Sequence, residues 1–419
     1  MKSQSIKKLV IFSVIFIIVG SSFSSSVTSS KSDKSKFDVT FDTKVKILLK
    51  VINVPSATIC LIKNNSVKVF KNYGYKELYK RERATNDTIY CLGSVSKTVT
   101  AVALMQLHDE GHFELDDDIS EYLPFEVKNP RYPDTNITFR MIMAHQAGFN
   151  DFGLKLRKLP YMLFHSRLKD NSDQLIEDML SSEGKAYSKR FYSLFEPGSR
   201  ALYCELGFIL AGRLIEEISG FTVEEYCQEN IFQPLGMVDT SFNPETLDQQ
   251  RIARPYVNAF QINTPLPKYD LFLLDAPAGL WTTGEDFTRF FIALMNGGVY
   301  NGTRILEEDT IDLMHTRQYP ESNDNLLGLL FRRKIEVQHG LGWFFIDVFD
   351  LELEGHTGGA PGYSCHMYIT KNDNNEKVGI IVLGNGPMLF PAALSSRLVI
   401  KGYESFLKLL IEKTEELEV

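Results

Sequence analysis

Apolar residues fill Ala57–Lys63 and return over Val67–Tyr75, with the polar turn Lys63-Asn64-Asn65-Ser66 between them. Two β-prone runs around a short asparagine turn predict a hairpin. A second set of such runs lies near the other end of the chain, at Gly342–Val348, Leu351–Glu354, Ser364–Thr370 and Val378–Leu383; the last two flank the polar stretch Lys371–Lys377. Strands joined by short turns predict an antiparallel sheet. Between these ends the apolar spacing is helical, over Ser94–Glu110, Thr138–His145, Ser172–Leu180, Leu206–Ile218, Thr222–Ile231, Gly284–Met295 and Glu307–His315. A further helix is predicted from Pro391 to about Glu415. The pattern implies an α/β (α+β) architecture: one antiparallel sheet built from both chain ends and flanked by helices, with an all-α lobe inserted. The α/β lobe takes about residues 37–98 and 278–415, and the helical lobe about 99–277. A cleft between the two lobes is the expected site.

The first residues read differently. Lys2, Lys7 and Lys8 precede the apolar run Leu9–Val19, and Gly20–Ser26 is small and serine-rich. Basic, apolar and small residues in that order predict a signal peptide over residues 1–26. The run falls short of the ~20 residues of a membrane span, so an uncleaved anchor is the second reading. Residues 27–36 are expected to be a tether, and the mature chain to be secreted or extracytoplasmic. If the segment is retained, it is the only expected membrane contact.

Composition narrows the function. Apolar residues make up 44% and charged residues 23%, as in an ordinary folded globule. A net charge of -8 argues against a nucleic-acid partner, which needs a basic face. The five cysteines, Cys60, Cys91, Cys204, Cys227 and Cys365, are odd in number and widely spaced, so they read as small buried hydrophobes rather than a disulfide framework. His108 and His112 have a spacing that could suit a metal, but Gly111 interrupts the helix and no third ligand is near. No metal site and no cofactor are expected.

Candidate chemistry begins at Ser94-Val95-Ser96-Lys97, an S-x-x-K motif. The same letters recur at Ser5–Lys8, Ser166–Lys169, Ser182–Lys185 and Ser405–Lys408. Only Ser94 follows a strand-like run and a glycine and opens an apolar helix. Residues three apart share a helix face, so Lys97 can reach the Ser94 hydroxyl. Serine needs a neighbouring base to act as a nucleophile. Burial and the positive end of the helix would both lower the lysine pKa and free it for that task.

Two further stretches follow: Pro197-Gly198-Ser199-Arg200-Ala201-Leu202-Tyr203-Cys204-Glu205-Leu206-Gly207, and Gly355-His356-Thr357-Gly358-Gly359-Ala360-Pro361-Gly362-Tyr363. With them the chain resembles the serine beta-lactamase-related family, which includes class C beta-lactamases, D-alanyl-D-alanine carboxypeptidases and related esterases. That family carries S-x-x-K, Y-x-N and a K-T-G or H-x-G strand in this order. Glu114–Asp118, Ile137–Gly148, Phe232–Met237, Pro277–Leu280 and Gly340–Trp343 also resemble family segments, so the similarity runs from about Lys46 to the last helix.

The resemblance implies a role for each matched position. Ser94 is implied as the residue acylated, Lys97 as its base and Tyr203 as the proton relay, helped toward a phenolate by Lys97. The His356-Thr357-Gly358 strand is implied to line the cleft with Glu205. The backbone N–H groups of Ser94 and Gly359 are implied as the oxyanion hole. Tyr256-Val257-Asn258 fits the letters of Y-x-N better, but lacks the flanking pattern.

Glu205 stands where the family usually has asparagine. A carboxylate cannot donate to a substrate amide, and an ionised one would favour the Lys97 ammonium. The expected activity is therefore hydrolysis of a small ester or amide through an acyl-enzyme. A D-alanyl-D-alanine carboxypeptidase or beta-lactamase acting on a peptidoglycan-like substrate is the first alternative, and an inactive penicillin-binding-like scaffold the second.

Overall fold

The computed structural model of the protein describes residues 34–151, 172–259, 262–267, 275–319, 337–386 and 397–417. The proposed signal segment and the motif copies at Ser5 and Ser166 lie outside them. Ser56–Lys63 (β1) is buried at every position, which accounts for its unbroken apolar run. Asn64 and Asn65 take φ of 52° and 54°, a left-handed turn that asparagine tolerates. The chain then returns as Ser66–Glu77 (β2), and Glu82–Arg83 (β3) forms the sheet edge.

The rest of the sheet comes from the far end of the chain: Val337–His339 (β4), Phe344–Val348 (β5), Leu351–Ala360 (β6), Tyr363–Lys371 (β7) and Lys377–Gly384 (β8). The order is β4-β5-β6-β7-β8-β1-β2-β3, with β1 paired antiparallel to β8 and Cys60 opposite Ile381. The antiparallel sheet built from both chain ends is therefore present. β6 runs on to Ala360, past the end of the apolar run at Glu354 and through His356-Thr357-Gly358, the strand that the family resemblance implies. Its glycines have no side chains to signal a strand, and the backbone pairing from Glu354 to Ala360 makes it one.

Two cores cover the two sheet faces. Ile59, Leu61, Ile380 and Val382 face a helix not read from the sequence, Lys34–Val51 (α1), which begins inside the stretch expected to be a tether. They also face the terminal helix Arg397–Glu415 (α5). Cys60, Ile62, Ile381 and Leu383 face the other way, toward the helical part. That part includes Ser96–Asp109 (α2), Leu206–Ser219 (α3) and Gly284–Met295 (α4). The helix expected over Thr222–Ile231 is shorter, Val223–Cys227, and passes into a π turn over Gln228–Phe232. All five cysteines are buried and none is in a disulfide.

Candidate active site

Strand Ile89–Cys91 pairs with Trp281–Thr283 and delivers the chain to Gly93. Gly93 has φ of 56°, and a Cβ there would stand 2.6 Å from the Gly359 nitrogen. A Cβ on Gly358 would meet the Leu92 carbonyl oxygen at 1.9 Å. Both positions must be glycine for β6 to lie directly against the turn that carries Ser94. From Thr88 to Leu107 every residue is buried except Ser94, which is partly exposed. The turn thus presents one hydroxyl at the edge of a closed core.

Lys97 follows at the start of α2 and is fully buried. Its Nζ donates to Ser94 Oγ at 3.2 Å, to Glu205 Oε2 at 2.7 Å and to the Pro277 carbonyl at 2.9 Å. The Pro277 carbonyl is aimed by cross-links between its segment and α2: Ser96 Oγ accepts from Leu280 N–H, and Thr100 Oγ1 donates to the Ala276 carbonyl. Burial pulls the Lys97 pKa down. Attraction to Glu205 and Tyr203, with hydrogen bonds to both, outweighs it and holds the ammonium above the ordinary lysine value. The expectation of a lowered lysine pKa is therefore corrected: the Glu205 carboxylate reverses its sign.

Tyr203 and Glu205 are set by contacts with His145 and Asp151. Leu202 N–H donates to the His145 carbonyl and Cys204 N–H to His145 Nδ1. Asp151 accepts from Glu205 N–H at 2.7 Å and from Leu206 N–H at 3.4 Å, capping α3. The His145 ring lies 4.4 Å from the Tyr203 ring. The Tyr203 hydroxyl hydrogen-bonds with Lys97 and Ser94. Burial pushes its pKa up to about 12, with Lys97 pulling it down and Glu205 pushing it up. Tyr203 is thus a neutral phenol near pH 7, because burial outweighs the help expected from Lys97.

His356 is buried on β6 and stacks on Phe344 at 4.0 Å, with the Tyr203 ring 6.2 Å away. Its Nδ1 bonds the Thr357 carbonyl at 2.7 Å, and its Nε2 has no hydrogen-bond partner among the described residues. Burial first and Lys97 second hold this imidazole neutral. Thr357 and Gly359 alternate with it and are partly exposed, whereas Gly358 is buried against the Ser94 turn.

The structure therefore brings Ser94, Lys97, Tyr203, Glu205 and His356 together, with Gly358 and Gly359 against the Ser94 turn. It places Thr357 on the opposite face of the strand from His356. Tyr256 lies elsewhere, bonded to Glu77 and to Leu78 N–H. His108 and His112 bond the Phe113 carbonyl and Glu110, respectively. Asp151, the Pro277 carbonyl and His339, whose ring lies 5.0 Å from that of His145 and 5.3 Å from that of Phe344, were not singled out from the sequence as site groups. Their roles rest on contacts across long loops, which spacing does not encode.

A Beta-lactamase family model matches residues 41–400. The chain belongs to the Beta-lactamase family. Membership agrees with the sheet and flanking helices expected from the sequence. Among relatives, Protein flp of Staphylococcus aureus (strain MRSA252) is 24% identical over 347 residues, covering 82% of this chain and 62% of that protein. The chain thus spans less than two thirds of the length of Protein flp. A putative D-alanyl-D-alanine carboxypeptidase of Escherichia coli (strain K12) is 24% identical over 379 residues, covering 80% of this chain and 79% of the other. The octameric penicillin-binding protein homologue from Pyrococcus abyssi superposes with a TM-score of 0.68 at 22% identity, over 88% of this chain and 77% of that one. D-amino acid amidase from Ochrobactrum anthropi SV3, complexed with L-phenylalanine amide, gives 0.67 at 21% identity, over 90% and 99%. These two structures share the fold.

Proposed function

We propose that this Beta-lactamase family member hydrolyses small esters or amides through an acyl-enzyme on Ser94. The observation that carries the reading is the Ser94 hydroxyl, partly exposed and 3.2 Å from the Lys97 nitrogen, in a site that also holds Tyr203. Ser94 attacks the carbonyl, and the N–H groups of Ser94 and Gly359 take up the developing oxyanion. Tyr203, as a phenol, hands a proton to the leaving group and takes one from the water that clears the acyl group. Similarity to a carboxypeptidase and an amidase supports acyl transfer from amides as well as esters. Glu205 tilts the balance toward esters. Its carboxylate offers no donor to a second amide in the substrate, and a lost hydrogen bond of that kind costs about 1–3 kcal/mol. Penicillins and D-alanyl peptides, each with a second amide, should react more slowly.

The test is a substrate panel on the wild type and Ser94→Ala: a p-nitrophenyl ester, a D-amino acid amide, a D-alanyl-D-alanine peptide and a chromogenic beta-lactam. Turnover of the ester above the others, lost in Ser94→Ala, supports the reading. No turnover of any of them, with no labelling by a fluorophosphonate, favours an inactive scaffold.

We also propose that the mature chain works outside the cytoplasmic membrane, on the strength of the basic, apolar and small-residue order of residues 1–26. Recovery of a cytoplasmic product that keeps Met1 would refute it.

A further inference from the structure

Lys97 has several hydrogen-bond partners, and Glu205 is the one among them whose side chain can accept a further proton. Ser94 and Tyr203 are hydroxyl groups that already carry their own protons, and burial pushes the Tyr203 phenol up to about 12. The Pro277 carbonyl is an amide oxygen and far too weak a base. Glu205 is a carboxylate and accepts from Nζ at 2.7 Å, closer than Ser94 at 3.2 Å or the Pro277 carbonyl at 2.9 Å. An ammonium that donates to Ser94, Glu205 and Pro277 has no lone pair with which to take the Ser94 proton. The amine becomes a base only as it gives a proton away.

We propose that Glu205 receives the nucleophile's proton by way of Lys97, so that the working base is the pair and not the lysine alone. The inference rests on the acyl-enzyme reading above. Lys97 passes one proton to Glu205 Oε2 as it takes the proton of Ser94 Oγ. The Oγ–carbon bond to the substrate carbonyl forms. When the tetrahedral adduct collapses, the bond to the leaving group breaks, and the leaving group is protonated through Lys97 and Tyr203. Glu205 returns to a carboxylate and Lys97 to an ammonium. In the second half water loses a proton through Tyr203 to the pair and bonds to the acyl carbon; the bond to Ser94 Oγ then breaks, the pair returns the proton to Ser94, and the acid leaves.

Exposure supports this division of labour. The Lys97 side chain is wholly buried, whereas the Glu205 side chain is 20% exposed and connects the buried nitrogen to solvent. The other titratable groups around the pair do not compete. Tyr203 and Cys204 flank Glu205 in sequence, and burial raises both. From the preceding loop, His145 is held neutral by burial, with His339 and Lys97 adding to the effect. His356 on β6 is neutral for similar reasons. Asp151 accepts from the Glu205 backbone N–H.

The experiment is the pH profile of kcat/KM for a p-nitrophenyl ester in the wild type, Glu205→Gln and Glu205→Asp. A base that ends on a carboxylate gives the wild type an acidic limb well below neutral pH. Glu205→Gln keeps the shape and cannot hold the proton, so Lys97 must titrate by itself. Its limb is expected to move up by at least one pH unit, with activity at pH 5 down at least tenfold relative to the wild type. Glu205→Asp is expected to keep the low limb. A limb that stays put or moves down in Glu205→Gln overturns the proposal, because Glu205 would then only hold Lys97 in its charged form. Wild-type activity that appears only above pH 8 overturns it without any variant. Ester hydrolysis that survives in Ser94→Ala points instead to failure of the acyl-enzyme reading.

Discussion

Lys97 is bonded to Glu205 more tightly than to Ser94, at 2.7 Å against 3.2 Å. The contact follows from two local features of the fold. The first turn of α2 is sealed in the core, so its lysine arrives without water. The Asp151 cap fixes the backbone where α3 starts and thereby sets Glu205 over that lysine. A buried cation without a partner is costly, and here the carboxylate offsets the burial.

Tyr203→Phe is predicted to lower kcat for the ester by about 10²-fold, the scale of one lost proton transfer. Only the hydroxyl is removed, and the ring still packs on His145. The thermal midpoint should therefore stay within about 2 °C. An unchanged kcat would reduce Tyr203 to an aromatic wall of the cleft.

Gly358→Ala is predicted to damage both fold and site. The added Cβ would stand 1.9 Å from the Leu92 carbonyl oxygen and 2.9 Å from the Val95 nitrogen, both backbone atoms. Overpacking of this kind costs about 3 kcal/mol or more, which lowers the midpoint by at least about 3 °C for a chain of this size. Ester turnover should fall too, because the strain is relieved by moving the turn that carries Ser94. A stable and fully active variant would mean that β6 does not press on that turn.

His366 gives a pH dependence of stability. It is buried on β7, bonded to Ser364 and Tyr403, and burial pulls its pKa down to about 4 from 6.5. The folded chain then binds its proton more weakly than the unfolded chain does. This group is neutral in its effect above pH 6.5, and stability falls as pH drops from 6.5 toward 4. Its share is about 3 kcal/mol, at 1.36 kcal/mol per pH unit. His145 and His356 are held neutral and act in the same direction. Denaturant midpoints at pH 7.5 and 4.5 check this, and His366→Gln should flatten the difference.

Much of this was legible in the chain. The β1–β2 hairpin was visible because its turn is two asparagines and its strands are apolar. Ser94 and Lys97 were visible because i and i+3 meet on any helix. Glu205 was visible as a departure, including its tendency to favour the ammonium. The strand character of Gly355–Ala360 came only from the family resemblance, because propensity counts side chains and those glycines are there to bring two backbones together. Asp151 was hidden because it caps α3 from 54 residues away. The N-terminal helix α1 was hidden because its first residues are as polar as a linker, and packing on the sheet holds Phe41 and Val45 in the core.

The most direct measurement is the intact mass of the protein after reaction with a fluorophosphonate, followed by peptide mapping of the adduct. The account predicts a single phosphonyl adduct on Ser94 in the wild type and none in Ser94→Ala, which should also lose ester hydrolysis. An adduct on another residue, or Ser94→Ala that still turns over the ester, would contradict it.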